Sequence, residues 1–236
     1  MKVKALFIGS IGVVTETSEY QRRAYNQAMS ENGMNWEWTP TTYKELLKSS
    51  GGKQRLQTLS IATQQPLTQE KIDQIHSRKT ELAGQMIESD QLQPRPGLVK
   101  LIEQAKKAGA KVAWVTSTYE ANTDALLRAS NGALTKEHFD HIFHREDAEN
   151  GKPSPHIYHK ALEHFDLNAA DCVAVEDSIN SILSAKGAGI FTVATLGEYH
   201  DESVDNIADM VVDDLSQMNW ERLCEQHKKS TQPVMA

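Results

Sequence analysis

Polar side chains that could contact a ligand stand at the ends of apolar runs in this 236-residue sequence. Thr116 and Ser117 end one run, and Glu176 and Asp177 end another. Lys152 lies in a polar stretch between them. Short continuous apolar runs are typical of parallel strands that helices cover on both faces. Sheets of this kind bind ligands at the carboxyl ends of their strands, so the sequence predicts hydroxyl, ammonium and carboxylate groups at that edge.

The first apolar run, by contrast, ends in a turn without an obvious catalytic group. It passes directly into Gly9-Ser10-Ile11-Gly12, which contains no acid, no base and no strong nucleophile. A glycine-flanked turn after a buried strand is nevertheless where an α/β enzyme usually places its chemistry. Side chains alternate along a strand, so Ser10 is predicted to point away from the site while its two neighbours face it.

The elements that must position these groups follow from the patterns along the chain. Five apolar runs predict the strands of an α/β, doubly wound parallel sheet: 3–8, 111–117, 172–178, 189–195 and 208–215. Residues 18–90 show helical periodicity and turns but no convincing strand. The sequence therefore predicts a core formed by 1–17 and 91–236, with 18–90 as a small helical domain inserted after the first strand. The tail 228–236 is predicted to be disordered.

Five segments of the chain carry a resemblance to a known family. They are "GVVTETSEYQRRAYNQAM", "SSGGKQRL", "RPGLVKLIEQAKKAGAKVAWVTSTYEANTDALL", "GKPSPHIYHKAL" and "CVAVEDSINSILSAKGAGI". Their order resembles the haloacid dehalogenase (HAD) superfamily of phosphohydrolases over nearly the whole chain. More narrowly, the sequence is similar to the CbbY-like subgroup, which handles sugar phosphates and is related to β-phosphoglucomutase. The resemblance implies a HAD-like Rossmannoid core with a helical cap.

The resemblance also implies a catalytic plan. In the family, an aspartate of the first motif attacks phosphorus, and a second aspartate two residues later acts as general acid/base. A hydroxyl and a lysine bind the phosphate, and Mg²⁺ is held partly by acids of the fourth motif. On this plan Thr116, Ser117 and Lys152 are phosphate-binding residues. Glu176 and Asp177 stand at the metal-binding position.

The first motif departs from this plan. Gly9 stands at the position of the nucleophile and Ile11 at that of the acid/base, so both aspartates are missing. An alcohol such as Ser10 needs an adjacent base to attack phosphorus, and the nearest local candidate, Glu16, lies beyond the turn. No catalytic residue is therefore expected to be intact.

The acidic pair of the fourth motif has two interpretations. Mg²⁺ is expected for the family, but it prefers near-octahedral oxygen ligands, and Glu176 with Asp177 alone makes a poor site. The sequence therefore predicts weak Mg²⁺ binding or none. The alternative is structural, with the two acids forming a salt bridge to Lys152.

The helical insert and the hinge supply the remaining candidate ligand contacts. In the CbbY-like subgroup the cap motif reaches over the cleft towards a distal substrate phosphate, which assigns this role to Lys53 and Arg55. Glu16 stands where the subgroup has a carboxylate beside the hinge that contacts sugar hydroxyls. Two alternatives stay open: a solvated helix-start loop with two ordinary cations, and a surface acid at the hinge.

Composition argues against several function classes. The formal net charge of −7 argues against nucleic acid or an anionic membrane as the main partner. No apolar run approaches the roughly 20 residues that span a bilayer, and no secretory signal is visible. The two cysteines, Cys172 and Cys224, are expected to be reduced in a cytoplasmic protein.

Three functions are consistent with these patterns. The leading hypothesis is a catalytically degenerate HAD protein that keeps a phosphate or sugar-phosphate ligand. One alternative is an active Mg²⁺-dependent sugar-phosphate phosphatase with a different nucleophile, and another is a non-catalytic interaction scaffold.

Three histidines, His138, His141 and His144, recur at the spacing of metal ligands. Solvated loop histidines are favoured there, because no second ligand cluster accompanies them.

Overall fold

A parallel β-sheet forms the centre of the fold. The computed structural model describes residues 2–47, 51–90, 92–200 and 202–230. The strands in these ranges are β1 (Ala5–Ile8), β2 (Lys111–Val115), β3 (His141–Phe143), β4 (Cys172–Glu176), β5 (Phe191–Thr195) and β6 (Met210–Val212). Their order is β3-β2-β1-β4-β5-β6, and every neighbouring pair is parallel.

Helices connect these strands. They are α1 (Ile11–Val14), α2 (Ser18–Glu31), α3 (Pro40–Leu47), α4 (Gly52–Ala62), α5 (Gln69–Ser89), α6 (Leu98–Lys107), α7 (Glu120–Ala129), α8 (His156–Phe165), α9 (Ile179–Gly187) and α10 (Trp220–Ser230). Short 3₁₀ turns occur among the connections as well. In the described ranges, none of the helices has the length and apolar character needed to cross a membrane.

The central strands are buried along their whole length. All residues of β1 and β4 are fully buried, which explains why their sequences are apolar runs rather than alternating patterns. Ala5 and Phe7 of β1 belong to one apolar cluster with Ile157 and Tyr158 of α8. The rings of Phe7 and Tyr158 lie 6.2 Å apart, centroid to centroid. This packing fixes α8 against the face of the sheet.

The register of the sheet brings three strand ends to the same level. Ile8 of β1 lies beside Trp114 of β2 and Val175 of β4. The amide of Gly9 then donates to the carbonyl of Val175 at 2.9 Å. Residues that follow these strands therefore share one edge, as the sequence patterns predicted.

The chain divides into two compact units. One contains Met1–Glu16 and Leu92–Ala236, and the other contains Thr17–Gln91. The second unit is built from α2 to α5, with α2 packed along α5. Its core contains an aromatic cluster in which the rings of Tyr25 and Trp38 lie 4.3 Å apart. The role of this helical unit as a cap stays a prediction.

The α/β, doubly wound parallel sheet predicted from the sequence is confirmed. All five predicted runs contain a strand. The additional strand, β3, has only three residues at the sheet edge and gives little periodic signal.

The prediction of a disordered tail from residue 228 was wrong for its first three residues. Helix α10 continues to Ser230, because it buries Trp220, Leu223 and His227 on one face. That spacing of three and four residues is typical of a packed amphipathic helix. Residues 231–236 lie outside the described part of the chain.

Candidate ligand-binding site

Glu176 is the centre of the polar cluster at this edge. It is fully buried at the end of β4. One carboxylate oxygen, Oε2, accepts from the backbone amide of Ser10 at 3.0 Å and from the Ser10 hydroxyl at 2.9 Å. The other, Oε1, accepts from Lys152 Nζ at 2.5 Å and from the hydroxyl of Tyr158. Because both oxygens have two donors, the buried charge is compensated and its hydrogen bonds are satisfied.

Lys152 is held by the same cluster. Its side chain is only 4% exposed, and Nζ also donates to the carbonyl of Val115 at 2.9 Å. An ammonium group carries three protons, so one N–H remains beyond these two contacts. The backbone amide of Lys152 donates to Ser117 Oγ at 3.4 Å. The structure therefore contains the Lys152–Glu176 salt bridge that the sequence left as an alternative for Glu176.

The nearby hydroxyl of Thr116 is buried. Thr116 is only 2% exposed, and its Oγ1 accepts from the amide of Thr118 at 3.2 Å. The amide of Thr116 donates to the carbonyl of Phe143 at the end of β3. Thr116 and Ser117 thus begin the loop after β2, and Ser117 is the more exposed of the two.

Ser10 does not point away from the cluster, so that prediction was wrong. Its hydroxyl contacts both Glu176 Oε2 and Asp177 Oδ1. The reason is local, since β1 ends at Ile8 and Ser10 immediately precedes the short helix α1. The alternation of side chains holds only within a strand, and here the backbone has already left it.

Asp177 shares the Ser10 hydroxyl with Glu176. Burial of its carboxyl group, together with the neighbouring charge of Glu176, raises the pKa of Asp177 to about 6. A hydroxyl has one proton to donate, so Ser10 satisfies only one carboxylate as a donor. The Ser10 contact by itself lowers the pKa of Asp177, and burial together with the charge of Glu176 outweighs it.

Glycines make room for both acids. A Cβ at Gly9 would lie far inside the van der Waals distance of the Glu176 carboxyl group. A Cβ at Gly12 would collide in the same way with Asp177. The absence of a side chain at position 9 is thus matched by the presence of Glu176 in that space.

Glu16 lies in the short segment between α1 and α2. Its Oε2 accepts from the backbone amide of Glu198, in the loop after β5, at 3.0 Å. Arg95 also links this part of the chain to the loop after β5, because it donates to the carbonyls of Gly12 in α1 and Leu196 in that loop. The contact of Glu16 with sugar hydroxyls stays a prediction, and its observed role is to fasten the loop after β5.

Glu176 and Asp177 do not form a suitable site for a magnesium ion. Both oxygens of Glu176 already accept from protein donors, and one of these donors is the positively charged Lys152. Asp177 is then the only carboxylate of this pair with free coordination sites. Mg²⁺ prefers near-octahedral oxygen ligands, usually with one or two carboxylates, and it is repelled by an adjacent ammonium group.

Lys53 and Arg55 lie in the helical unit, at the start of α4. Helix α4 begins at Gly52, after Gly51 with φ of 87°. Lys53 forms an exposed salt bridge with Asp73 at 2.7 Å. Arg55 Nε donates to the carbonyl of Leu46 at 3.1 Å. This position at the start of a helix agrees with the predicted helix-start loop, and the role of both residues in binding stays a prediction.

Two titratable residues of α5, Lys79 and His76, lie near Arg55 and were missed by the sequence reasoning. Lys79 Nζ lies 4.8 Å from the centre of the Tyr25 ring. Burial and the charge of Arg55 lower the pKa of Lys79 to about 8. Burial, with Lys79, Lys53 and Arg55 nearby, lowers the pKa of His76 to about 4. Burial is the larger cause of both shifts, and the nearby positive charges add to it.

A signal for Lys79 was present in the sequence. Ile72, Ile75 and Leu82 form the buried stripe of α5, and Lys79 falls within that stripe at helical spacing. A lysine in a core-facing position is rarely there for packing alone.

The three spaced histidines do not converge on a metal site. His138 Nδ1 accepts from the amide of Thr135, and His144 Nε2 contacts Thr123 Oγ1 at 2.9 Å. The ring of His141 lies 4.3 Å from that of His164. Within the described ranges, no group of three or more potential metal ligands is found.

Comparisons with known proteins agree with this architecture. The family model for haloacid dehalogenase-like hydrolases matches residues 3–189. Protein CbbY of Rhodobacter capsulatus is 34% identical over 216 residues, which cover 92% of this chain and 95% of that protein.

Solved structures give the same result. The chain is similar to the crystal structure of CbbY from Rhodobacter sphaeroides in complex with phosphate, with a TM-score of 0.80 and 33% identity, covering 91% of this chain and 96% of that one. A mutant of CbbY from the same organism has also been solved in complex with xylulose-1,5-bisphosphate, and that structure matches with the same TM-score, identity and coverage. With a family model matched over most of its length and relatives of this similarity, the chain belongs to the haloacid dehalogenase-like hydrolase family, in its CbbY-like subgroup.

Proposed function

We propose that this chain is a CbbY-type HAD protein that binds phosphate or a sugar phosphate and no longer hydrolyses it. One observation carries the loss of hydrolysis: the Glu176 carboxyl group fills the space that a side chain at position 9 would need. Gly9 itself supplies no carboxylate, so the nucleophile of the family plan is missing from this position. Ile11 supplies no acid or base at the second position.

The residues that would bind phosphate are retained. Lys152 keeps one N–H beyond its two protein contacts, and Ser117 lies beside its backbone. The CbbY structure solved with phosphate supports an anion as the ligand. A Lys152 already oriented by Glu176 needs little rearrangement to donate to a phosphate oxygen, which favours binding.

The proposal extends to a second anionic site in the helical unit. Arg55 and Lys79 are close enough for the charge of Arg55 to lower the pKa of Lys79. No described carboxylate forms a salt bridge with Lys79, whereas Lys53 pairs with Asp73. An anionic group would relieve this crowding of positive charge. The xylulose-1,5-bisphosphate bound to the related CbbY makes sugar phosphates the ligand class to test.

Ser10 supports a second candidate function, hydrolysis with another nucleophile. Its hydroxyl contacts the carboxyl group of Asp177, whose pKa of about 6 is suitable for a general base. A hydroxyl with an adjacent base is the minimum arrangement for nucleophilic attack. Against this, the same hydroxyl also contacts Glu176 Oε2, so its single proton is not committed to Asp177.

Two measurements on the purified protein decide between these functions. Calorimetry with inorganic phosphate and with xylulose-1,5-bisphosphate should detect binding, and Lys152→Ala should weaken it. Release of inorganic phosphate from a panel of sugar phosphates with Mg²⁺ should stay at background. Turnover that follows the protein through purification and is lost in Ser10→Ala would establish the second candidate instead.

A further inference from the structure

Helix α1 is too short to be stable on its own. It has four residues, Ile11–Val14, and it begins directly after Ser10. A helix shorter than about 12 residues is marginal without tertiary contacts, and the carbonyl groups of its last turn have no partner within the helix. The groups that bind these carbonyls therefore help to decide where α1 lies, and Ser10 with it.

Arg95 supplies partners for two of these carbonyls. Its backbone amide donates to the carbonyl of Val14 at 2.8 Å, and its guanidinium group donates to the carbonyl of Gly12 at 3.1 Å. A cation at the C-terminal end of a helix also interacts favourably with the helix dipole. Arg95 thus caps α1 with its backbone and its side chain together.

The guanidinium group of Arg95 is anchored on a second side as well. It donates to the carbonyl of Leu196 in the loop after β5. A Cβ at Gly197 would lie 3.7 Å from Arg95 Nη1 and 3.0 Å from Glu16 Oε2, so both side chains approach the same point of this loop. The planar fork of an arginine can donate to two carbonyls at once, which an ammonium group on a flexible stem does less well. Arg95 therefore fixes α1 relative to the loop after β5.

The position of α1 matters for the polar cluster because Ser10 is its N-cap residue. The amide and the hydroxyl of Ser10 both contact Glu176 Oε2, and the hydroxyl also contacts Asp177. Glu176 in turn accepts from Lys152, the residue proposed to bind phosphate. A shift of this turn would take both donors away from Oε2 and allow Glu176 and Lys152 to reorient. Sites whose supporting contacts are loose bind their ligands less well.

From these contacts we propose that Arg95 is a positioning residue for the ligand site. It caps α1, holds the turn of Ser10 against the two buried carboxyl groups, and through Glu176 keeps Lys152 oriented. The effect on ligand binding rests on the proposed function, whereas the effect on α1 and Ser10 does not.

Hydrogen exchange in Arg95→Met tests the positioning without any ligand. Methionine keeps a long side chain but has no donor for the two backbone carbonyls. The amide of Ser10 bonds to Glu176, and the amides of Val13 and Thr15 bond within the turn. We expect these three amides to exchange at least about tenfold faster, the scale of one lost hydrogen bond to a charged group. The amides of β4 and β5 should keep their wild-type rates.

Two further variants complete the comparison. Arg222→Met is the matched control, because Arg222 also donates to a backbone carbonyl, that of Gln217, and the change should leave the three amides unaffected. Arg95→Lys keeps the charge without the fork, so these amides should still exchange faster than in the wild type. Wild-type rates in Arg95→Met, full restoration by lysine, or equal acceleration of the strand amides would each overturn the proposal. If Arg95→Met fails to fold, Arg95→Lys decides by the same comparison.

Binding of inorganic phosphate is the second measurement. By calorimetry, we expect the Kd to rise about tenfold in Arg95→Met, the usual scale for losing a residue that orients a binding group, and to stay unchanged in Arg222→Met. An unchanged Kd in Arg95→Met, with its turn amides exchanging faster, would overturn the link from Arg95 to Lys152. If the wild type binds no phosphate, the proposed function fails, while hydrogen exchange still decides whether Arg95 positions the turn.

Discussion

Each hydrogen-bond donor around the buried carboxylate of Glu176 helps to stabilise its negative charge. Tyr158 supplies one of the two donors to Oε1 of Glu176, and it does so from a position with no solvent to replace it. A buried polar group that loses a partner cannot recover it from water. Each donor around Glu176 is therefore expected to have a measurable effect on stability.

Replacing Tyr158 with phenylalanine removes one donor and keeps the ring. We expect Tyr158→Phe to lower the free energy of unfolding by roughly 2 kcal/mol, the range for hydrogen bonds to charged groups. Urea denaturation measures this change. Tyr20→Phe is the matched control, because the Tyr20 hydroxyl also donates to a carboxylate, Asp90, but in an exposed position. Equal effects of the two changes would contradict the role given to burial.

The raised pKa of Asp177 predicts a pH dependence of stability. Its pKa is about 6 in the folded protein, against an ordinary value of 3.8, so the folded state binds this proton more tightly. The resulting stabilisation is complete below about pH 4 and is lost as the pH rises through about 6, a change of about 3 kcal/mol.

The variant Asp177→Asn isolates this effect from other titrating groups. Its amide is neutral at every pH, so the stability of the wild type should fall relative to the variant between pH 4 and 7. Unfolding free energies of both proteins across that range provide the measurement. Parallel pH profiles would show that Asp177 does not carry the proton.

Helix α5 carries a charged residue, Lys79, within its buried apolar stripe. Ile72, Ile75 and Leu82 bury the stripe that contains Lys79. The lysine is desolvated there and lies near the positive charge of Arg55, which is unfavourable for folding. Such a residue is expected where binding, rather than stability, requires a charge.

Replacing Lys79 with methionine should therefore separate stability from binding. We expect Lys79→Met to raise Tm, because an apolar side chain of similar length suits the buried stripe. The same variant should bind xylulose-1,5-bisphosphate more weakly than the wild type. Lys71→Met on the same helix is the control, with little expected change in either quantity. A lower Tm in Lys79→Met would mean that the lysine contributes to the packing of α5.

At the scale of the whole molecule, charge is divided unevenly between the two units. Nine acidic and nine basic residues lie between Thr17 and Gln91, so the net charge of −7 belongs entirely to the other segments. An anionic ligand is therefore attracted by local groups, such as Arg55 and Lys79, and not by the molecule as a whole.

The sequence predicted the sheet well because buried parallel strands are continuous apolar runs. It also placed Thr116 and Glu176 at one edge, since strand ends of a parallel sheet meet there. Lys152 follows no predicted strand directly, and its place at this edge was implied by the family resemblance. It could not predict that Ser10 turns towards them, because that depends on where β1 stops. Tyr158 was missed for a related reason, as its hydroxyl is a polar group on a helix face that otherwise packs against the sheet.

The fit between Gly9 and Glu176 also affects how this protein could change in evolution. A side chain at position 9 would require the Glu176 carboxyl group to move, and that group is held by Ser10, Lys152 and Tyr158. Losing Glu176 instead would leave the buried charge of Lys152 without its partner, which costs several kcal/mol. The effects of substitutions at positions 9 and 176 are therefore expected to depend on each other. Homologues with glycine at position 9 should consequently keep both the glutamate and the lysine.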